Sequence, residues 1–138
     1  VTKSVKQQLK LKKKVLSPKQ VSQHNFKTGQ KGEDRATIFL KRKGYEILAK
    51  NIRAKTKEVD IIALDKKTDE LVFIEVKTRK TSFYGHPSLA VKKHKLQNMQ
   101  LVARAFLQKQ NLKKDYRFDI ISILPGKIEH FENITWNY

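Results

Sequence analysis

Two apolar runs separated by four polar residues constrain this chain more than any other stretch. Glu58-Val59-Asp60-Ile61-Ile62-Ala63-Leu64-Asp65 and Glu70-Leu71-Val72-Phe73-Ile74-Glu75-Val76-Lys77 flank Lys66-Lys67-Thr68-Asp69. A polar link of about four residues between extended runs closes a β-hairpin. If Asp65 pairs with Glu70, antiparallel pairing keeps the sum of residue numbers constant, so Asp60 falls opposite Glu75 and Glu58 opposite Lys77. Alternation then places Glu58, Asp60, Glu75 and Lys77 on one face. Opposed carboxylates with Cβ atoms about 5 Å apart repel, so a cation belongs between them. Lys77 can supply part of that charge and a divalent ion the rest. Mg²⁺ suits such a face because it is usually held by one or two carboxylates together with waters and substrate phosphates. The bland alternative is an exposed sheet edge. Against it, both runs are apolar at odd and even positions, as in strands covered on two sides.

Charge narrows the partner. The chain has 138 residues with 31 Lys+Arg against 13 Asp+Glu, a formal net charge of +18, which calls for an anionic partner. Nucleic acid is the usual one, and an acidic membrane surface gives the same composition. Cys is absent and the four His are scattered, which excludes disulfides and a thiolate zinc site. No apolar run reaches the length of a membrane span, so a cytoplasmic protein is expected. Residues 1–28 are Lys-rich and read as a flexible basic tail, with a single domain over residues 29–138.

Within that domain, Gly29 to Lys43 reads as a helix with Ala36, Phe39 and Leu40 inward and Gly44 as its stop. Glu33 lies at the N-terminal end of its buried stripe, where a favourable interaction with the helix dipole would by itself explain an acid. A strand over Tyr45 to Ile52 and a turn through Asn51 to Thr56 lead into the hairpin. After Lys77 comes the polar, basic loop Thr78 to Pro87, with Arg79, Phe83, Tyr84 and His86; it reads either as a flap that contacts nucleic acid or as a connector. Leu89 to Gln110 is the longest helix, with Leu96, Met99, Val102, Ala103, Phe106 and Leu107 at helical spacing. Lys92, Lys93 and Lys95 cluster near its start, where cations oppose the dipole and phosphates would justify them. Strands over Arg117–Leu124 and Lys127–Ile134 complete an α/β fold of order α-β-β-β-α-β-β with a mixed sheet. Asp119, inside the first of these strands, reads as structural.

Several spaced motifs carry a resemblance over residues 29–134: Gly32-Glu33, Gly44-Tyr45, Asn51-Ile52-Arg53, Glu58-Val59-Asp60-Ile61-Ile62-Ala63, Leu71 to Arg79, Gly85-x-Pro87, Ala90-Val91, Lys95 and Arg117-Phe118-Asp119. In this order they resemble the YraN-like family, a branch of the restriction-endonuclease-like, PD-(D/E)xK superfamily similar in plan to archaeal Holliday-junction resolvases. The resemblance implies a mixed sheet flanked by helices. Asp60 becomes the motif's aspartate, Glu75 its second acid, Lys77 its lysine, and Glu33 the extra helix carboxylate of resolvase-like members. Val59 stands where the superfamily name has Pro, and Lys57 replaces a Gly common in relatives.

The implied activity is Mg²⁺- or Mn²⁺-dependent hydrolysis of phosphodiester bonds in DNA, rather than RNA, with branched substrates foremost. Glu33, Asp60 and Glu75 would hold the metal, and Arg79, Lys92, Lys93 and Lys95 would contact nucleic acid. The rival expectation is a non-catalytic DNA- or RNA-binding protein on the same fold. Resolvase-like proteins often work in pairs, which implies a homodimer, although no element shows an exposed apolar face that demands one.

Overall fold

The computed structural model describes residues 23–80 and 93–134, with residues 23–30 described in their backbone only. Helix α1 (Gln23–Arg42) leads into strands β1 (Tyr45–Ala54), β2 (Lys57–Asp65) and β3 (Glu70–Thr78). Helix α2 (Lys93–Lys109) and strands β4 (Tyr116–Leu124) and β5 (Lys127–Phe131) follow, which is the expected order. The five strands form one mixed sheet in chain order. Neighbours run antiparallel except β3 and β4, which are parallel, and a parallel pair needs a crossover of the kind that α2 provides.

Alternation along buried strands sends side chains to two faces, and each face has its own core. Ala36 and Leu40 of α1 pack on Tyr45, Ile61, Ala63, Val72, Ile74, Ile121 and Ile123. Leu96, Met99, Val102, Ala103 and Phe106 of α2 pack on Val59, Ile62, Leu64, Leu71, Phe73, Phe118 and Ile120. The sheet is therefore a central layer between two helices. Burying each of the larger side chains is worth ~1.5–3 kcal/mol. Phe73 anchors the α2 side, with ring centroids 6.0 Å from Phe106 and 5.8 Å from Phe118.

Local chemistry sets the ends of the elements. Gly44, at φ +92°, stops α1 where a side chain would be strained. α1 begins at Gln23, ahead of the expected Gly29, because the apolar stripe marks only its packed half. The rest of the basic tail lies outside the described residues. β1 continues to Ala54 rather than Ile52, so the turn shrinks to Lys55-Thr56 with Lys55 at φ 56°. β5 ends at Phe131, and Ile134 still reaches the α2-side core. Among the described residues, no helix is long and apolar enough to cross a membrane.

Candidate functional site

The hairpin register matches expectation from the turn outward, pairing Asp65 with Glu70, Leu64 with Leu71, and so on to Ile61 with Ile74. There the pairing ends. Asp60 is not paired with Glu75, nor Glu58 with Lys77; instead the Val76 N–H donates to Asp60 Oδ2 at 2.8 Å. Beyond this fork β2 stays paired with β1 as far as Lys57, while β3 stays paired with β4 as far as Thr78. Continued pairing would force two carboxylates directly across from each other. The open fork lets one of them take a backbone acceptor's place.

Strict alternation also fails here. Ile61 belongs to the α1-side core and Val59, two residues earlier, to the α2-side core. Asn51 on the neighbouring strand has a left-handed φ of 52°. The acids therefore assemble around an irregular fork and not in a row on one regular face.

Burial pushes the Asp60 carboxyl up to about 8; the neighbouring Glu75 adds to the rise, the Val76 N–H opposes it, and Glu33 and Glu58 add smaller increments. Glu33 is also raised, first by burial, with a hydrogen bond from Asn51 as the main opposing influence. Glu33 lies inside α1 and not in its first turn, so the helix-dipole explanation lapses. Gly32 lets the helix approach this closely, since a Cβ there would sit 2.7 Å from Thr78 Oγ1 at the end of β3.

Glu75 is largely enclosed, with its side chain 12% exposed. Its Oε2 is buried without a hydrogen-bond partner, and Lys95 Nζ lies 3.3 Å away in an ion pair that lacks hydrogen-bond alignment. Lys77 is half-buried and forms no ion pair among the described residues. Glu58 turns to Arg53 across the β1–β2 pair, at 3.4 Å, and not to Lys77 or Lys57. Its cross-strand neighbour captures it because Arg53 and Glu58 are register partners.

Among the described residues, no three acid or imidazole groups meet as a ready-made metal cage. Two features nevertheless fit a hard divalent cation. Asp60 has a carboxyl that burial and other acids disfavour as an anion, and Glu75 has a buried oxygen without a donor. A pair of carboxylates with room for water and phosphate is the usual Mg²⁺ provision.

Of the residues expected to meet nucleic acid, Lys93 is exposed at the start of α2 and Lys95 is turned onto Glu75. The Arg79 N–H donates to the Ile123 carbonyl at 2.8 Å, extending the β3–β4 contact. Lys92 lies outside the described residues, as do Phe83, Tyr84 and His86 of the loop.

Sequence reasoning missed Arg117 as a structural hub. Its guanidinium donates to Asp119 from Nε (3.1 Å) and Nη2 (3.3 Å), and from Nη1 to Asp65 (2.9 Å) and Glu70 (3.0 Å). It also reaches Tyr45 Oη at 2.8 Å. Lys43 Nζ donates to His130 Nδ1 at 2.8 Å, leaving His130 Nε2–H to face Asp119 Oδ2 at 2.8 Å. Asp119 is fully buried in this network and structural, as expected. The sequence signal was an Arg two residues before an Asp inside an apolar strand, a spacing that puts both on one face.

Comparisons with known proteins agree on one group. The model of "Uncharacterised protein family UPF0102" matches residues 32–123. A UPF0102 protein of Caldicellulosiruptor saccharolyticus is 46% identical over 96 residues, covering 69% of this chain and 80% of the relative. One from Geobacter metallireducens is 43% identical over 116 residues, covering 83% and 93%. Another, from Persephonella marina, is 39% identical over 106 residues, covering 76% and 90%.

Proposed function

The chain belongs to the UPF0102 family, whose description names no activity, and from the chemistry of its fork we propose a divalent-metal-dependent nuclease that hydrolyses phosphodiester bonds in DNA. The observation that carries this reading is that Asp60, pushed up to about 8, feels the charge of Glu75, whose buried Oε2 has no hydrogen-bond donor among the described residues. Such an arrangement is unfavourable for an empty fold and suits one that captures positive charge.

Asp60 and Glu75, helped by Glu33, would hold Mg²⁺ or Mn²⁺. Such an ion supplies Lewis acidity toward a phosphoryl oxygen and makes bound water more acidic. The Val76 N–H fixes the Asp60 carboxylate, so its orientation does not have to be established when substrate arrives. Lys77 leaves the same end of β3 with its ammonium uncommitted to any acid among the described residues. Lys77 would orient the attacking water and offset charge growing on the phosphate. The surplus of +18 draws the polyanion to the protein.

Labelled junction, flap, single-stranded and duplex DNA incubated with Mn²⁺ or with chelator test the reading. Cleavage should require metal and fall by about 100-fold or more in Asp60→Asn, an effect typical of losing a group that stabilises the transition state. Identical background cleavage by wild type and variant would overturn it. The lack of a three-donor cage among the described residues favours a second reading, a non-catalytic nucleic-acid binder on the same fold. Binding that survives both chelator and Glu75→Gln, yet falls steeply with salt, would select that alternative.

A further inference from the structure

The position of Lys95 is not explained by its own helix. It lies in the first turn of α2 as described, where the dipole disfavours a cation, and that turn contains no acid. Its side chain nevertheless reaches the sheet and places Nζ 3.3 Å from Glu75 Oε2, with Lys95 32% and Glu75 12% exposed. Among the described residues that oxygen has no hydrogen-bond donor. An ammonium at this distance neutralises the carboxylate without filling a directed bonding position.

We propose that Lys95 is the resident counter-ion of Glu75, occupying the charge position of the divalent ion and giving it up when that ion binds. The proposal rests on the metal-dependent reading of the fork and assigns Lys95 a role distinct from simple phosphate contact. A long, flexible four-carbon stem carrying a single point charge suits a group that must leave. Two cations cannot share one buried carboxylate oxygen without strong repulsion, so ion entry and Lys95 departure are linked. Lys95 thus limits the charge imbalance of the empty fork and weakens its grip on metal. It is a positioning residue that holds Glu75.

The test is calorimetric titration of Mn²⁺ into the full chain as wild type, Lys95→Met and Lys95→Arg. Lys95→Met keeps the length of the side chain and removes the competitor, so Mn²⁺ should bind about 10-fold more tightly, a modest share of the charge repulsion removed. Lys95→Arg keeps the charge and should stay near wild type. In NMR of the wild type, the Lys95 ammonium resonance should move when Mg²⁺ is added. Equal or weaker Mn²⁺ binding by Lys95→Met, with wild type binding normally, overturns the counter-ion role and leaves the nuclease reading standing. If neither wild type nor Lys95→Met binds Mn²⁺, both fall. Circular dichroism of each variant identifies any that fails to fold, and the NMR measurement then decides the matter on the unaltered chain.

Discussion

Asp65 and Asp60 lie on the same strand, each near a glutamate of β3, yet their carboxyls are displaced in opposite directions. At the turn end, burial alone would raise Asp65, but hydrogen bonds from Arg117 and the Lys67 N–H outweigh it and hold the carboxyl below its usual range. Glu70, directly opposite, shares the same guanidinium. At the fork end, among the described residues, Asp60 receives a single backbone N–H, and the cation beside Glu75 is the flexible Lys95. One acid pair is closed by a fixed, buried cation; among the described residues the other has none. The difference teaches that facing acids do not by themselves mark a site. What marks one is whether the fold supplies its own permanent positive charge.

The largest expected effect breaks the compensated end. Arg117→Met leaves Asp65 and Asp119 buried without their cation and should cost ~3–5 kcal/mol in urea unfolding at pH 7. A loss below about 1 kcal/mol would show that the two ends do not differ as described.

A smaller effect appears in the pH dependence of metal-free stability. With a folded value near 8 and an ordinary value near 3.9, Asp60 favours the fold fully below pH ~4, and that contribution is lost as pH rises toward 8. Asp60→Asn has no such loss, so it should match wild type near pH 4 and exceed it by ~1–3 kcal/mol at pH 9. Asp65 runs the other way. Its contribution is present above pH ~4 and is lost as pH falls through its depressed folded value, so the deficit of Asp65→Asn should shrink in acid. Parallel profiles for the two variants would refute the contrast.

The smallest effect concerns the approach of α1. Gly32→Ala places a Cβ against Thr78 Oγ1 and should cost about 1 kcal/mol, shifting Glu33 away from the fork. In a Thr78→Ala background most of that penalty should disappear, which a double-mutant cycle measures.

Much of this contrast was legible in the residues. The polar link Lys66 to Asp69 and its flanking apolar runs fixed the register as far as Ile61 and Ile74, because turn length and alternation are local rules. Extending the constant-sum rule past Ile61 failed, because repulsion between Asp60 and Glu75 and the hydrogen bond from Val76 are not pairing preferences. The expected set of Glu33, Asp60 and Glu75 is electrostatically connected through Asp60. The partners of Glu58 and Lys95 were missed, since each depends on which long side chain arrives from another element. In the sequence Arg117 stands out only within Arg117-Phe118-Asp119. Its role requires knowing that β4 lies beside β3, a parallel contact made across a crossover that local pattern cannot fix.

The point at which β2 and β3 separate also bears on how the chain tolerates substitution. Closure of the hairpin on the turn side of Ile61 and Ile74 asks nothing of the side chains past that point. Exchange of an acid there can alter the charge of the fork while the paired segment stays zipped. The zipped segment and the fork are thus separately adjustable parts of one hairpin.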